Sequence, residues 1–237
     1  MNVARMSFLD HLVELRSRII KSVAAVAVGS ILGLVFYHRI LEILARPYQD
    51  AVGGDRLAFF QPTEAFSLVM KVGLFGGVIL ASPVIVYQIW RFVGPALTRR
   101  ERRYVVPLSG VMGGLFVAGV GLGYWTLPLA LRVLLGFGSD ILDPTIGATF
   151  YLSFAMRFLL AFGIAFEFPV FMFAAAALRI VRSDQLRAGW RWAVVIVVVA
   201  AALLTPGGDP LTLALLATPM YLLYEATILA IRLVLKR

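Results

Sequence analysis

Cysteine is absent from the 237 residues, which excludes a disulfide framework, a thiolate metal site and a thiol nucleophile. Histidine occurs only as His11 and His38, too few for a histidine-based metal cluster. Neither a Gly-x-Ser-x-Gly elbow nor a His-Glu-x-x-His site is present, so the usual signatures of a serine hydrolase and a zinc protease are missing. Charge is sparse: charged residues make up 15% of the chain, against about a quarter in soluble domains. Internal repeats, low-complexity tracts and a soluble domain are also lacking. No catalytic centre, metal or cofactor is expected.

What the chain has in quantity is apolar length. Hydrophobic residues reach 61% and the mean hydropathy is +0.90. They come in blocks close to the roughly 20 residues that a bilayer-spanning helix requires. The expected spans are 19–37, 67–90, 104–127, 151–178, 192–205 and 211–231, within a single membrane domain covering 1–237. All are read as helices, because a backbone exposed to lipid must satisfy its own hydrogen bonds. The first run is longer than a signal-peptide core and is read as a retained span. The fifth is short and runs into Thr205-Pro206-Gly207-Gly208-Asp209-Pro210, a strong turn signal. The last two helices are therefore expected to form a tight hairpin.

The net charge of +9 would suggest nucleic acid in a soluble protein. Beside membrane spans, basic residues set topology and meet anionic headgroups instead. Sixteen of the 22 Lys and Arg fall in the N-terminal segment, loop 91–103, loop 179–191 and the C-terminus, and six in the alternate segments. The positive-inside rule then puts both termini in the cytoplasm, in agreement with an even number of spans. Small-residue pairs Gly29/Gly33, Gly73/Gly77, Gly110/Gly114 and Gly119/Gly123 permit close helix approach, and packing within the chain is the plainer reading.

Polar residues stand out against this background. Ser7 and Asp10 resemble a capping box, and Phe8, Leu12, Leu15 and Ile19 form one stripe at helical spacing. An amphipathic helix on the membrane surface is expected there, with Glu14 and Arg18 paired at i,i+4. In loop 91–103, Gly94-Pro95 ends a helix and Thr98 caps the next. Glu101 falls in that helix's first turn, where the dipole favours an anion. The loop reads either as a topogenic arginine cluster or as a docking surface. Glu167 lies well inside the fourth span, where an ionisable group is costly and a functional hypothesis by default. It is either a structural acid bonded to a neighbouring helix or a group that draws water inward. Glu225 raises the same question more weakly, and Gln88 reads as a packing amide within the membrane.

The chain resembles the TatC family. The resemblance rests on His11-Leu12-Val13-Glu14-Leu15-Arg16-Ser17-Arg18, on Ser82-Pro83-Val84-Ile85-Val86-Tyr87-Gln88 with Trp90 and Phe92, and on Gly94-Pro95-Ala96-Leu97 with Glu101-Arg102-Arg103. Tyr151-Leu152-Ser153-Phe154, Phe162-Gly163, Phe166-Glu167-Phe168-Pro169 and Leu204-Thr205-Pro206 follow in order. It implies an all-α polytopic membrane protein with six transmembrane helices in a curved, glove-like concave wall.

The resemblance also implies a receptor and core subunit of a translocase. Such a machine exports folded proteins across the cytoplasmic membrane, driven by proton-motive force. Glu14, Glu101 and Phe92 match the family's site for twin-arginine signal peptides, and Arg16, Arg102 and Arg103 stand in the same motifs. Guanidinium pairs suit carboxylates because their hydrogen bonds are directional and often bidentate. Glu167 matches the family's intramembrane acid. Thr205, Asp209 and Pro47 match contacts for small single-span subunits of TatA and TatB type. Membrane lipids and an oligomeric active complex are also implied, and nucleic acid is not. There is one departure. Many family members carry a carboxylate just before the tyrosine of Tyr-Leu-Ser-Phe, whereas here the run is Ile146-Gly147-Ala148-Thr149-Phe150.

Composition alone favours a small-solute secondary transporter. That reading asks for paired broken helices in two matching halves, which the sequence lacks. The ordered motifs favour the receptor.

Overall fold

The computed structural model describes residues 8–52, 57–93, 105–136, 146–177, 180–205 and 209–235. Among these, helices are the only extended elements, in the order α1 (Phe8–Val35), α2 (Tyr37–Val52), α3 (Glu64–Val93), α4 (Val105–Gly136), α5 (Ala148–Ala165), α6 (Phe168–Ala177), α7 (Ser183–Ala188), α8 (Trp190–Leu204) and α9 (Pro210–Leu235). Five helical stretches are long and apolar enough to cross a membrane, α5 and α6 counting as one, and α8 is a shorter apolar helix. At 15 residues, α8 is about 22 Å long against a hydrocarbon core of about 30 Å.

The start of α1 differs from the expected separate surface helix. Nothing between Phe8 and Ile19 breaks a helix, so the amphipathic segment and the apolar run form one 28-residue rod. Its polarity is reversed relative to a soluble helix. Leu12, Val13, Ile19 and Ile20 are exposed, while Glu14 and Arg18 keep only 15–16% of their side chains accessible. In lipid the exposed apolar face already has its solvent, and the two largely buried charges offset part of each other's desolvation by pairing. The expected cap at Ser7 lies outside the described residues.

Glycines bring α1 and α3 together. A Cβ on Gly29 would stand 2.7 Å from the Gly77 carbonyl oxygen, so only the bare backbone fits. Gly119 and Gly123 seat α4 in the same way on Phe162 and Phe166 of the α5 region. Gly110 and Gly114 do not follow this pattern. A Cβ there would meet nothing within 4 Å, so the packing expected of that pair is absent within the described chain.

The core is centred on α5. In the α5–α6 span 67% of the most apolar window is buried, against 11% in α1. Phe158 and Phe162 are completely enclosed. The expected span 151–178 is present as one apolar stretch, but its helix is interrupted between α5 and α6. Pro169, the second residue of α6, has no N–H to offer the preceding turn. The chain therefore closes α5 with a tight Glu167 N–H to Ile164 bond (3.0 Å) and restarts at Phe168.

The connection 38–66 also holds a helix not expected there, α2, with Pro47 inside it. Proline at 47 leaves the Ile43 carbonyl without its helical donor, and the Tyr124 hydroxyl of α4 donates to that oxygen at 2.9 Å. Tyr151 of α5 donates to the next carbonyl, Leu44, at 2.7 Å. In α3 the same problem is solved locally: Pro83 strips Ile79, and the Ser82 hydroxyl donates to Ile79 at 2.8 Å.

Candidate functional site

One polar constellation joins the start of α1 to the end of α3. His11, Glu14 and Arg18 recur at three and four residues and so share a helix face. Gln88 and Phe92 do the same on α3. The Arg18 guanidinium donates to Glu14 Oε1 at 2.8 Å and to Gln88 Oε1 at 3.2 Å. One nitrogen thus closes the expected i,i+4 pair, and another reaches across to the neighbouring helix. Beside it the His11 ring stacks on Phe92 at 4.3 Å, with 19° between the planes.

The accounting of this cluster is incomplete. Glu14 Oε2 and Arg18 Nε are buried and have no hydrogen-bond partner among the described residues. An unpaired buried polar atom costs about 1–3 kcal/mol, more when charged. Glu14 therefore presents a vacant acceptor, with its other oxygen fixed by Arg18. A planar cationic donor arriving there would gain a charge-assisted bond.

Arg16, two residues from Glu14, is exposed on another face of α1. Phe92 is half-buried through its contact with His11. Glu101, Arg102 and Arg103 lie outside the described residues. Gln88 is more than a packing amide, since it is the acceptor that links α3 to Arg18. Nothing local distinguishes it, although Gln88 and Phe92 stand four residues apart, as Glu14 and Arg18 do.

A second feature lies at the α5–α6 break. Glu167 is 7% exposed, and neither carboxylate oxygen has a hydrogen-bond partner among the described residues. The alternative of an acid bonded to a neighbouring helix therefore finds no support among those residues. Glu225, in contrast, is exposed and accepts from the Tyr221 hydroxyl at 3.1 Å.

At the α8–α9 hairpin, Thr205 is buried and donates to the Ala201 carbonyl at 2.6 Å. Asp209 caps α9 by accepting from Thr212 N–H at 2.8 Å. Both side chains are thus occupied in shaping the turn, while Trp192 and Leu203 of α8 project outward. Pro47 is buried. The hairpin and Pro47 are not brought into the Glu14 cluster.

The spacing of residues gave no sign of Glu64. Its Oε2 accepts from Phe60 and Gln61 N–H at 2.8 and 3.3 Å, and its Oε1 accepts from Thr149 N–H at 3.2 Å. Alongside, Ala148 N–H donates to Ala58 at 2.8 Å. The first turn of α5 has no acid of its own, and Glu64 supplies one from the start of α3. A solitary carboxylate opening an apolar span is the signal that marks it.

Residues 10–219 match the family model described as Sec-independent protein translocase protein (TatC). The chain is 40% identical over 224 residues to the Sec-independent protein translocase protein TatC of Carboxydothermus hydrogenoformans, covering 94% of this chain and 91% of that protein. The protein of the same name from Aquifex aeolicus is 38% identical over 228 residues, covering 94% and 93%. Among solved structures, a crystal structure of a twin arginine translocase receptor, TatC, in DDM superposes with a TM-score of 0.82 at 37% identity, covering 93% of this chain and 98% of that one.

Proposed function

The chain belongs to the TatC family of Sec-independent protein translocase proteins, and from that membership we propose that it receives twin-arginine signal peptides for a translocase. It is a multi-pass membrane protein of transport rather than catalysis. The observation that carries the reading is the vacant Glu14 Oε2, buried beside an oxygen already held by Arg18. Glu14 and Glu101 together accept the peptide's arginine pair. Phe92 borders the site, and Arg16, Arg102 and Arg103 set the surrounding charge.

The distribution of Lys and Arg supports an orientation with both termini in the cytoplasm. The α1–α3 end then faces the compartment in which signal peptides are made. The six spans, with α8 as the short fifth, form one membrane domain curved into a glove-like concave wall. Folded cargo crosses the cytoplasmic membrane in an oligomeric complex driven by proton-motive force. Single-span subunits of TatA and TatB type lie along α8, with Thr205, Asp209 and Pro47 at their contact. Glu167 supplies a polar point within the membrane that water or a partner's polar group satisfies.

The test is crosslinking of the purified protein to a twin-arginine signal peptide, with a twin-lysine variant as control. A carboxylate site retains the arginine peptide and loses most of the lysine one, because an ammonium lacks the planar fork. Equal capture of both peptides would remove the site from consideration.

A further inference from the structure

Two cations within the spans have no part in this reading. Lys71 of α3 and Arg157 of α5 border a groove of about 280 Å³ that is also lined by Ser153, Leu74, Val78 and Leu160. Both cations are exposed, and neither makes an ion pair or hydrogen bond among the described residues. Counter-charge is scarce around them. Glu64 is the sole acid of α3, and its oxygens are taken by three backbone N–H groups. Neither α4 nor α5 contains an acid. An unpaired Lys or Arg in a membrane span is costly and marks a functional position.

The arrangement has a direction. The Glu64–Thr149 bond sets the starts of α3 and α5 level, and the two helices run the same way from it. Lys71 lies seven residues beyond Glu64 and Arg157 nine beyond Ala148, so both stand roughly 10–14 Å from that end of the bundle. Leu74 and Val78 follow Lys71 on the same face at three and seven residues, and Leu160 follows Arg157 at three. Two cations and a hydroxyl thus occupy one end of the groove, and a strip of branched aliphatics leads away from them into the span. The volume falls below that of pockets which enclose a whole drug-sized ligand. It suits one end of an amphiphile whose remainder stays in the bilayer.

We propose that the α3–α5 groove is a binding site for an anionic phospholipid, with Lys71 and Arg157 holding the phosphate, Ser153 donating to it, and an acyl chain lying along Leu74, Val78 and Leu160. Two cations without counter-charge favour phosphatidylglycerol over phosphatidylcholine, whose own ammonium they repel. Long basic side chains reach toward the interface from this depth by extending along the helix.

Because the chain lacks cysteine, a single Val78→Cys variant takes a fluorescent label beside the acyl strip and leaves the polar trio intact. The labelled full-length protein is reconstituted in phosphatidylcholine bilayers containing either brominated phosphatidylglycerol or brominated phosphatidylcholine. Brominated phosphatidylglycerol should quench at a mole fraction roughly fivefold lower, the scale of one basic residue meeting an anionic headgroup. Lys71→Gln with Arg157→Gln should abolish the preference, and Lys71→Arg with Arg157→Lys should keep it. Excess inorganic phosphate should not relieve the quenching. Equal quenching by both lipids overturns the proposal, as does a preference that survives the double Gln variant. Displacement by phosphate alone would indicate a free-anion site, and quenching by neither lipid would mean that a protein helix covers the groove; each also overturns it.

Discussion

Arg18 and Gln88, seventy residues apart in sequence, are joined by a 3.2 Å hydrogen bond between α1 and α3. The same guanidinium holds one oxygen of Glu14 at 2.8 Å. Arg18 therefore fixes the carboxylate's orientation, and the other oxygen stays buried without a partner among the described residues. A positively charged chain thus keeps one carboxylate oxygen unpaired because its own arginine is engaged with the other.

If Glu14 and Glu101 share the peptide's arginine pair, replacing either by Ala should weaken binding by about 1–3 kcal/mol, the scale of a charge-assisted bond. Gln should rescue only part of this, and added salt should weaken the wild-type complex. Titration of a labelled signal peptide measures all three. Unchanged affinity in the Glu14→Ala, Glu101→Ala double variant would rule the pair out.

The Tyr124 hydroxyl serves a carbonyl that Pro47 orphaned. Tyr124→Phe should then cost about 0.5–1.5 kcal/mol, the net worth of one hydrogen bond. In a Pro47→Ala background an alanine N–H can meet the Ile43 carbonyl, so the same change should cost distinctly less. Thermal unfolding of the four proteins in detergent gives this coupling. Additive effects would show that the bond has no connection with the proline.

Glu167→Gln should retain more transport than Glu167→Ala, since an amide still attracts water. Both should leave peptide binding nearly intact, because the acid stands at the α5–α6 break and not at the α1–α3 end. Transport and peptide binding must be measured on the same variants. Normal transport by Glu167→Leu, or loss of folding in mild detergent for both first variants, would mark a structural residue.

Photocrosslinkers placed along Trp192–Thr205 should capture single-span partner subunits, since α8 is short and projects apolar side chains outward. Capture confined to α4 and α5 would count against this surface.

How much of this was readable in the sequence differs from element to element. Spans such as Glu64–Val93 and Pro210–Leu235 announce themselves because apolar length is a local property. The helix Tyr37–Val52 does not, because an interior proline argues against it and the compensating hydroxyl comes from Tyr124, far along the chain. Pro169 stood in plain view, yet the length of the apolar run 151–178 concealed the break it produces. Glu14 and Arg18 were legible as an i,i+4 pair, whereas the part played by Gln88 depends on α1 lying against α3. Gly110 and Gly114 match the spacing of packing glycines but meet no neighbour among the described residues, since spacing does not say which side of a helix has one.

Glu64 meets the first turn of α5 from eighty-five residues away. A helix start that borrows its anion from another segment is relieved of selection to encode one itself. The carboxylate that many family members carry just before the tyrosine corresponding to Tyr151, absent here, and the one at 64 would then serve the same local field. Among homologous chains the two positions should vary in concert: where one lineage loses an acid at the helix start, the other should be held, and where the start carries its own, position 64 should drift.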